Sequence, residues 1–228
     1  MNSLYQYPSA TEFGKIVSKR KIYEHGNVTN KVKELFVSQL QSMNWSHKLS
    51  PQTINLPASE GVQEIQVFKL HLKTAALSDH ILSTIDKAIP SPIIYHLIYQ
   101  NKQRTVACYK RPSEADSAKW VVSAYFKSPW SDLNLGQDQA QKQGMQALPV
   151  VLNLGALYQH LLQTLIALAA RQNETLAELV KRAETLNAKQ READALKTKI
   201  NQQKQFNRRV ELNRQYTALQ AQITALTT

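Results

Sequence analysis

The sequence QEIQVFKLHLKTAALSDHILSTIDKAIPSPIIYHLIYQNKQRTVACYK, residues Gln63–Lys110, predicts a strand, a helix and a β-hairpin in succession. Apolar and polar residues alternate over Gln63–Lys73 with one change of phase at Phe68, as they do along a half-buried strand, either regular or bulged. Leu77–Ala88 suits a helix, which has to end before the two prolines that follow it. Ile93–Tyr99 and Arg104–Lys110 are rich in β-branched and aromatic residues and flank a short polar turn, which is the pattern of a β-hairpin.

Further elements are predicted on both sides of this stretch. Apolar residues within 30–43 are spaced as on one face of an amphipathic helix, and residues 45–51 read as a connector that ends in a proline turn. Lys119–Lys127 has the composition of another strand, and the wide apolar stripe of Leu154–Ala170 is typical of a helix buried against a sheet. The predicted order, α-β-α-β-β-β-α, indicates an α+β fold in which helices pack on a small, mostly antiparallel sheet.

The last quarter of the chain is predicted to be helical. Over Asn173–Leu226 the sequence has no glycine and no proline and is dominated by good helix formers. Thr175 and Glu178 match a capping box near its start. We therefore divide the chain into an α+β globular head, residues 1–172, and a C-terminal helical or coiled-coil tail, residues 173–228.

Two apolar stripes run along the tail, and their phases do not match. The phase changes within Gln202–Arg209. Such a break is produced by a stutter in one long coiled coil or by the bend of an antiparallel helical hairpin. Neither stripe would hold a single exposed helix together in water, so we predict that the tail assembles with its other half, a second copy or a partner protein. The residues predicted to take part in assembly are Leu186, Ile200, Phe206, Leu212, Tyr216, Leu219 and Ile223.

The composition limits the classes of function. A formal net charge of +11 suits a surface that attracts polyanions or faces an acidic protein. Cys108 is the single cysteine, so neither an intrachain disulfide nor a cysteine-based metal site can form. The N-terminus lacks a signal-peptide pattern, and the most apolar run is too polar for a membrane span. We therefore expect a cytoplasmic protein with no membrane partner.

Basic residues lie near aromatic residues in two parts of the head, and two adjacent arginines lie at the phase break of the tail. Cations pair with phosphates and aromatic rings stack on bases, so this combination favours nucleic acid or an acidic protein surface as the partner. The predicted contact residues are Lys19, Arg20, Lys21, Lys110, Arg111, Lys119, Arg208 and Arg209.

No reaction follows from the sequence. A restriction-type nuclease needs an acidic residue and an Asp/Glu-x-Lys triplet on a neighbouring strand to hold Mg²⁺, and Glu64 with Asp86 or Lys69 comes nearest to that pattern. The histidines form no ligand pair, Cys108 lies inside a predicted strand, and no glycine-rich phosphate loop occurs. We predict no catalytic residue, no metal and no cofactor, with a divergent Mg²⁺-dependent nuclease as the enzymatic alternative.

Several strings in the sequence are specific enough to suggest a family. In the head they are Trp45 with Lys48–Pro51 and Thr53–Asn55, then Glu64–Phe68, Ile85–Pro90, Tyr109–Pro112 and Lys119–Ser123, and in the tail Lys204–Asn213. With them the chain resembles the bacterial domain-of-unknown-function family 4391 over nearly its whole length. The family has no established activity. Its members tend to be found with helicases and DNA methyltransferases of restriction-like anti-phage systems, so the resemblance implies an accessory role in defence.

Charge, tail and resemblance together predict a non-enzymatic accessory or adaptor subunit. Its basic head would contact DNA or a helicase or methyltransferase partner, and its tail would mediate assembly. The alternatives are the divergent nuclease and a purely structural protein that associates with itself through the tail.

Overall fold

The computed structural model describes residues 5–26, 28–113, 120–133 and 146–228. It divides into two compact units, Met1–Leu165 and Ile166–Thr228. The strands in the described residues are β1 (Tyr5–Gln6), β2 (Glu12–Ile16), β3 (Leu40–Leu49), β4 (Ile65–Leu72), β5 (Ile93–Tyr99), β6 (Lys102–Pro112), β7 (Trp120–Lys127), β8 (Ser131–Asp132) and β9 (Gln146–Ala147). The α-helices are α1 (Lys19–Gly26), α2 (Asn30–Gln39), α3 (Pro51–Ile54), α4 (Asp79–Ala88), α5 (Leu154–Gln163), α6 (Leu176–Gln202) and α7 (Phe206–Thr227).

Seven strands of the described chain form one mixed sheet. Six of them follow the order β2-β3-β4-β5-β6-β7, and β8 pairs with β6. β4 and β5 run parallel, whereas the other pairs in this sheet are antiparallel. The pair is parallel because α4 crosses over between the two strands and returns the chain to the end where β4 began. The α+β class is confirmed, and the prediction of a mostly antiparallel sheet is corrected to a mixed one. A separate two-residue parallel ladder joins β1 to β9.

The strand β3 occupies the region that the sequence predicts as the end of a helix and a connector. The predicted helix is present as α2, but it ends at Gln39 because the backbone at Leu40 is extended. Pairing of β3 with β4 shifts register twice, after Leu40 and again after Trp45. Each irregularity changes which face the following side chains occupy, so the two-residue alternation that marks a strand is lost from the sequence.

The core of the head is made where α1, α2 and α4 pack on the sheet. α4 begins at a helix cap, in which the Ser78 side chain accepts from the backbone N–H of His80, and its apolar face is buried. The chain places a large aromatic or aliphatic side chain from each of these helices and from β3 to β6 into one cluster. Its members include Ile22, Phe36, Met43, Phe68, Leu70, Ile81, Ile85, Tyr95 and Val106.

A tyrosine of α5 repairs a gap in the sheet ladder. The pairing of β6 with β5 ends at Ala107, opposite Ile94, so the backbone groups of the next residues on that side of β6 have no regular ladder partner. The Tyr158 hydroxyl accepts from the Lys110 backbone N–H at 2.9 Å and donates to the Cys108 carbonyl at 2.5 Å. A single buried phenol therefore ties α5 to the centre of β6.

The tail folds as an antiparallel hairpin, one of the two arrangements open from the sequence. α6 ends at Gln202 and α7 begins at Phe206, within the predicted phase break. The Lys189 ammonium donates to the Gln222 side chain at 2.6 Å, and α6 starts with the predicted capping box of Thr175. The apolar stripe predicted for α7 is its least exposed face: Leu219 is buried, and Leu212, Tyr216, Ile223 and Leu226 are half-buried.

A buried arginine fixes the open end of this hairpin. Arg182 is only 7% exposed, and its guanidinium donates to both carboxylate oxygens of Glu174 at 2.7 and 2.6 Å. It also donates to the carbonyl oxygens of Ala169 and Leu226, each at 2.7 Å. Hydrogen bonds from Arg182 hold the pKa of Glu174 near 2, so the carboxylate stays charged. The Arg182 guanidinium therefore connects the start of α6 to the end of α7.

Candidate binding site

A cavity of about 420 Å³ opens in the head between β2, β3, β4, α1 and the end of α4. We call it the lysine-rimmed pocket. Its volume lies within the range of about 300–1,000 Å³ that is usual for small-ligand sites. The aromatic and polar residues that line it are Phe13, Lys15, Lys21, His25, Trp45, Gln66 and Phe68.

Aromatic rings line one part of this pocket. The ring centroids of Phe13 and Trp45 lie 4.1 Å apart, and Trp45 stacks on Phe68 at 6.0 Å with the planes nearly parallel. β2, β3 and β4 are adjacent strands, and this explains how three residues distant in sequence come together. Flat apolar walls of this kind favour a flat, unsaturated ligand.

Gln66 supplies a polar group within the pocket lining. Its side chain is 5% exposed, and its Nε2 donates to Glu64 Oε1 at 2.8 Å. Its Oε1 is buried and accepts no hydrogen bond from any residue in the described part of the chain. A buried acceptor without a donor costs about 1–3 kcal/mol of free energy. A ligand with an N–H or O–H group would donate to this oxygen and remove that cost.

Glu64 is held by neighbours that leave no unpaired carboxylate oxygen. Lys48 Nζ lies 2.6 Å from Glu64 Oε2, and the Ser91 hydroxyl donates to Oε1 at 3.1 Å. Partial burial pushes the pKa of Glu64 upward, but hydrogen bonds from Lys48, Gln66 and Ser91 outweigh it and bring the pKa below its usual value. Lys69, the lysine considered for a nuclease, lies on the opposite face of β4 from Gln66, because successive strand residues alternate.

Two lysines flank the pocket. Lys15 and Lys21 are both exposed, and the Lys15 ammonium lies 4.6 Å from the centre of the Phe13 ring. Lys21 belongs to the basic cluster predicted from the sequence. The rim therefore presents positive charge directly beside the aromatic wall, although Lys15, Phe13, Trp45 and Gln66 were absent from the predicted site.

Two other members of that predicted basic cluster have partners inside the protein. Lys19 donates to the carbonyl oxygens of Phe36 and Leu40 at 2.7 and 2.5 Å. It therefore contacts the last turn of α2 and the first residue of β3, as cations near helix C-termini commonly do, and partial burial lowers its pKa. Lys19 is half-buried, and its ammonium is engaged within the protein, so the structure gives no support to Lys19 as a surface contact. Arg20 is exposed and pairs with Glu24 on its own helix at 2.9 Å.

Among the predicted contact residues, Lys110 differs most from its expected position. It was expected on the surface, but its side chain is fully buried and lies 3.6 Å from Asp86 Oδ1. Its ammonium donates to the carbonyl oxygens of Asp86, Ile89 and Ser91. Burial raises the pKa of Asp86, and the charge of Lys110 and the Tyr125 hydroxyl oppose that rise. The group binds the end of α4 to β6 and is closed to a ligand.

The remaining predicted contact residues are spread over the chain. Arg111 is half-buried at the end of β6, beside the Lys110 site. Arg208 and Arg209 are exposed in the first turns of α7, next to Phe206, whose side chain is 70% exposed. Lys119 lies outside the described residues. Of the predicted assembly residues, Leu186 and Leu219 are buried, Phe206 is exposed, and Ile200, Leu212, Tyr216 and Ile223 are half-buried.

A buried histidine, His96, lies elsewhere in the head. Burial lowers the pKa of His96 to about 3, so the ring is neutral at physiological pH. One ring nitrogen lies 3.1 Å from the Tyr7 hydroxyl and the other 3.3 Å from the Thr105 hydroxyl. In residues 5–26, 28–113, 120–133 and 146–228, no group of three or more His, Cys, Asp or Glu could hold a metal ion.

Comparison with known proteins gives the family that the sequence strings suggested. The model of a domain of unknown function, DUF4391, matches residues 6–223 of the 228-residue chain. The chain belongs to this family. No curated protein and no solved structure matches it. Membership in DUF4391 supplies no activity, so a function for this member has to be argued from its own residues. Among its described helices, none is long and apolar enough to cross a membrane.

Proposed function

We propose that this protein is a non-enzymatic nucleic-acid-binding accessory subunit, in which the lysine-rimmed pocket holds one unstacked base and its phosphate. The observation that carries the proposal is the combination of an aromatic wall, an unpaired buried acceptor and two flanking ammonium groups in one cavity. Aromatic rings stack on bases, a carbonyl oxygen accepts from a base N–H, and lysines pair with phosphate. The net charge of +11 adds a long-range attraction for polyanions.

Reversing the charge of the rim tests this proposal. We expect wild-type protein to bind single-stranded DNA with an affinity that falls steeply between about 50 and 200 mM salt. In Lys15→Glu/Lys21→Glu the affinity will fall about tenfold or more, and the slope of log affinity against log salt will decrease by about 1.4, the value for two phosphate contacts on a single strand. Fluorescence anisotropy of a labelled oligonucleotide across a salt series measures both.

A matched control separates the pocket from general charge. Lys31→Glu/Lys102→Glu makes the same change in net charge at two exposed lysines of the head that do not line the pocket, and it should reduce affinity much less. Equal losses in the two double variants would contradict the pocket as the binding site. Adding Mg²⁺ in parallel examines the enzymatic alternative: cleavage that disappears in Glu64→Ala would replace the non-enzymatic proposal by a nuclease.

For the tail we propose assembly with another protein. The family resemblance suggests a helicase or DNA methyltransferase of a restriction-like anti-phage system, and a second copy of the chain is the alternative partner. Support comes from the hairpin tip, where Phe206 and Val210 are 70% and 51% exposed beside Arg208 and Arg209. Groups of large apolar side chains that are exposed to solvent often mark a surface that binds another protein. Aromatic and arginine residues are enriched at such interfaces.

The mass of the protein in solution tests whether the hairpin tip binds a second copy of the chain or a different protein. Self-association predicts a mass above the 25.9 kDa of one chain and a return to that mass in Phe206→Ser/Val210→Ser. A wild-type mass of one chain would favour a different protein as partner. An oligomer that survives the double substitution would contradict the tip as the assembly surface. Light scattering coupled to size exclusion gives the answer.

A further inference from the structure

The orientation of the Gln66 amide is set by its neighbour. A carboxylate can only accept hydrogen bonds, so the amide nitrogen of Gln66 has to face Glu64, where the distance is 2.8 Å. The amide oxygen is then the atom left for the pocket, and it is the buried acceptor without a partner in the described chain. Glu64 therefore determines that a ligand in the pocket meets a hydrogen-bond acceptor, the Gln66 oxygen.

Glu64 is in turn fixed by Lys48. Their charged groups are 2.6 Å apart, and Lys48 lies directly opposite Gln66 in the register of β3 with β4. The Ser91 hydroxyl, which follows α4, donates to the same carboxylate oxygen that receives the Gln66 amide. Three elements thus hold the carboxylate, and each contact favours its ionised, accepting form.

We propose that the pocket holds a base by an N–H donor on its hydrogen-bonding edge, with Gln66 as the acceptor and Glu64 and Lys48 as positioning residues. The inference rests on the proposed nucleic-acid function and deepens it. All the common bases offer such a donor, and thymine and uracil offer it only at N3–H, so one methyl group removes it; the neighbouring lysines meet the phosphate. The same chemistry is offered by a free nucleotide or by an unstacked base within a strand.

Replacing Glu64 by glutamine should reverse the polarity of the pocket. Lys48 will retain the side-chain oxygen of the new glutamine, because a charge-assisted hydrogen bond is the stronger one. The amide nitrogen at position 64 then faces Gln66. The Gln66 amide has to rotate so that its oxygen accepts from residue 64, and its N–H groups then face the ligand. Glu64→Gln therefore changes an acceptor site into a donor site with almost no change in volume.

The experiment compares a thymine oligonucleotide of about ten residues, a length typical of single-strand sites, with the same oligonucleotide made from N3-methylthymine. We expect wild-type protein to bind the methylated strand roughly tenfold more weakly, since the buried acceptor stays unpaired. Glu64→Gln and Gln66→Met should bring the ratio of the two affinities close to one. Glu60→Gln, the same chemical change at an exposed glutamate, should keep the wild-type ratio.

The ratio of affinities in each variant separates this inference from the proposed function. Equal binding of the two strands by wild-type protein, with binding still lost in Lys15→Glu/Lys21→Glu, would overturn the inference and leave the function standing. No binding of either strand would overturn both. A ratio retained in Gln66→Met would show that the added methyl group acts by bulk alone, and would also overturn the inference. Thymidine monophosphate and its N3-methyl derivative, measured in the same way, show whether a free nucleotide suffices.

Discussion

Lys110→Met will lower the free energy of unfolding of the head by about 3–5 kcal/mol, as expected when one partner of a buried ion pair is removed. The substitution leaves the Asp86 carboxylate buried without its compensating charge. It also removes the donor from the carbonyl oxygens of Asp86, Ile89 and Ser91. Urea denaturation followed by tryptophan fluorescence measures the loss, because all three tryptophans lie in the head.

Two comparisons make this first prediction specific. Lys69→Met, at an exposed position of β4, should change stability by less than about 0.5 kcal/mol. Asp86→Leu/Lys110→Met should recover part of the loss, since an apolar pair needs no compensation. A Lys110→Met protein as stable as the wild type would show that the ion pair does not hold α4 on the sheet.

The pH dependence of the Lys110→Met variant follows from the same burial. Burial raises the pKa of Asp86 in the folded state, and loss of Lys110 removes the charge that opposes this rise. A folded-state pKa above the unfolded value gives stability that is present at low pH and lost as the pH rises. The variant should therefore come closest to the wild type near pH 4 and fall further behind towards pH 7.

Arg182→Met will destabilise the tail hairpin by about 3 kcal/mol, because it leaves the charged Glu174 carboxylate and the carbonyl oxygens of Ala169 and Leu226 without the guanidinium that donates to them. Arg182 joins Glu174, Ala169 and Leu226 within one side chain. The Arg171 backbone N–H also donates to Glu174, at 2.9 Å, so the carboxylate keeps that one donor in the variant. The thermal melt of the helix signal in circular dichroism reports the change. Arg191→Met, an exposed arginine on the same helix, is the control and should melt as the wild type does.

Acid should remove the same contribution from the wild-type tail. Hydrogen bonds from Arg182 depress the pKa of Glu174 to about 2, below the unfolded value of about 4.3. A depressed folded-state pKa gives stability that is complete above the unfolded pKa and is lost as the pH falls through the folded one. The difference between wild type and Arg182→Met should thus shrink between about pH 4.3 and pH 2. A constant difference across that range would contradict the role of the Glu174 charge.

Sequence patterns predicted the elements that are held by local contacts. The β5–β6 hairpin and α4 are confirmed, because the hairpin has strand-forming residues on both sides of a short turn and α4 has a clear cap and two prolines beyond its end. No strand was predicted before Gln63, although β2 and β3 lie there. The register of β3 shifts twice, and β2 has a bulge at Gly14, whose φ of 63° is left-handed. Irregular pairing removes the alternation by which a strand is recognised.

The candidate site was harder to predict than the fold. Positive charges next to aromatic residues pointed to Lys110, but this residue shares a face of β6 with Cys108, and both side chains contact the buried Asp86 of α4. The pocket combines side chains from Phe13 to Phe68 that converge only when β2, β3 and β4 are paired. Glu64-x-Gln66 was visible as a string, yet the unpaired oxygen of Gln66 is a property of three-dimensional packing.

The ladder between β1 and β9 has a consequence for the order of folding. It pairs only two residues on each side, Tyr5–Gln6 with Gln146–Ala147, at opposite ends of the head. Closing so long a loop carries a large entropic cost for few hydrogen bonds, whereas the β5–β6 hairpin closes over a two-residue turn. The hairpin should therefore form early, and the terminal ladder should close last and open most often. Its amide protons should exchange with solvent orders of magnitude faster than those of β5.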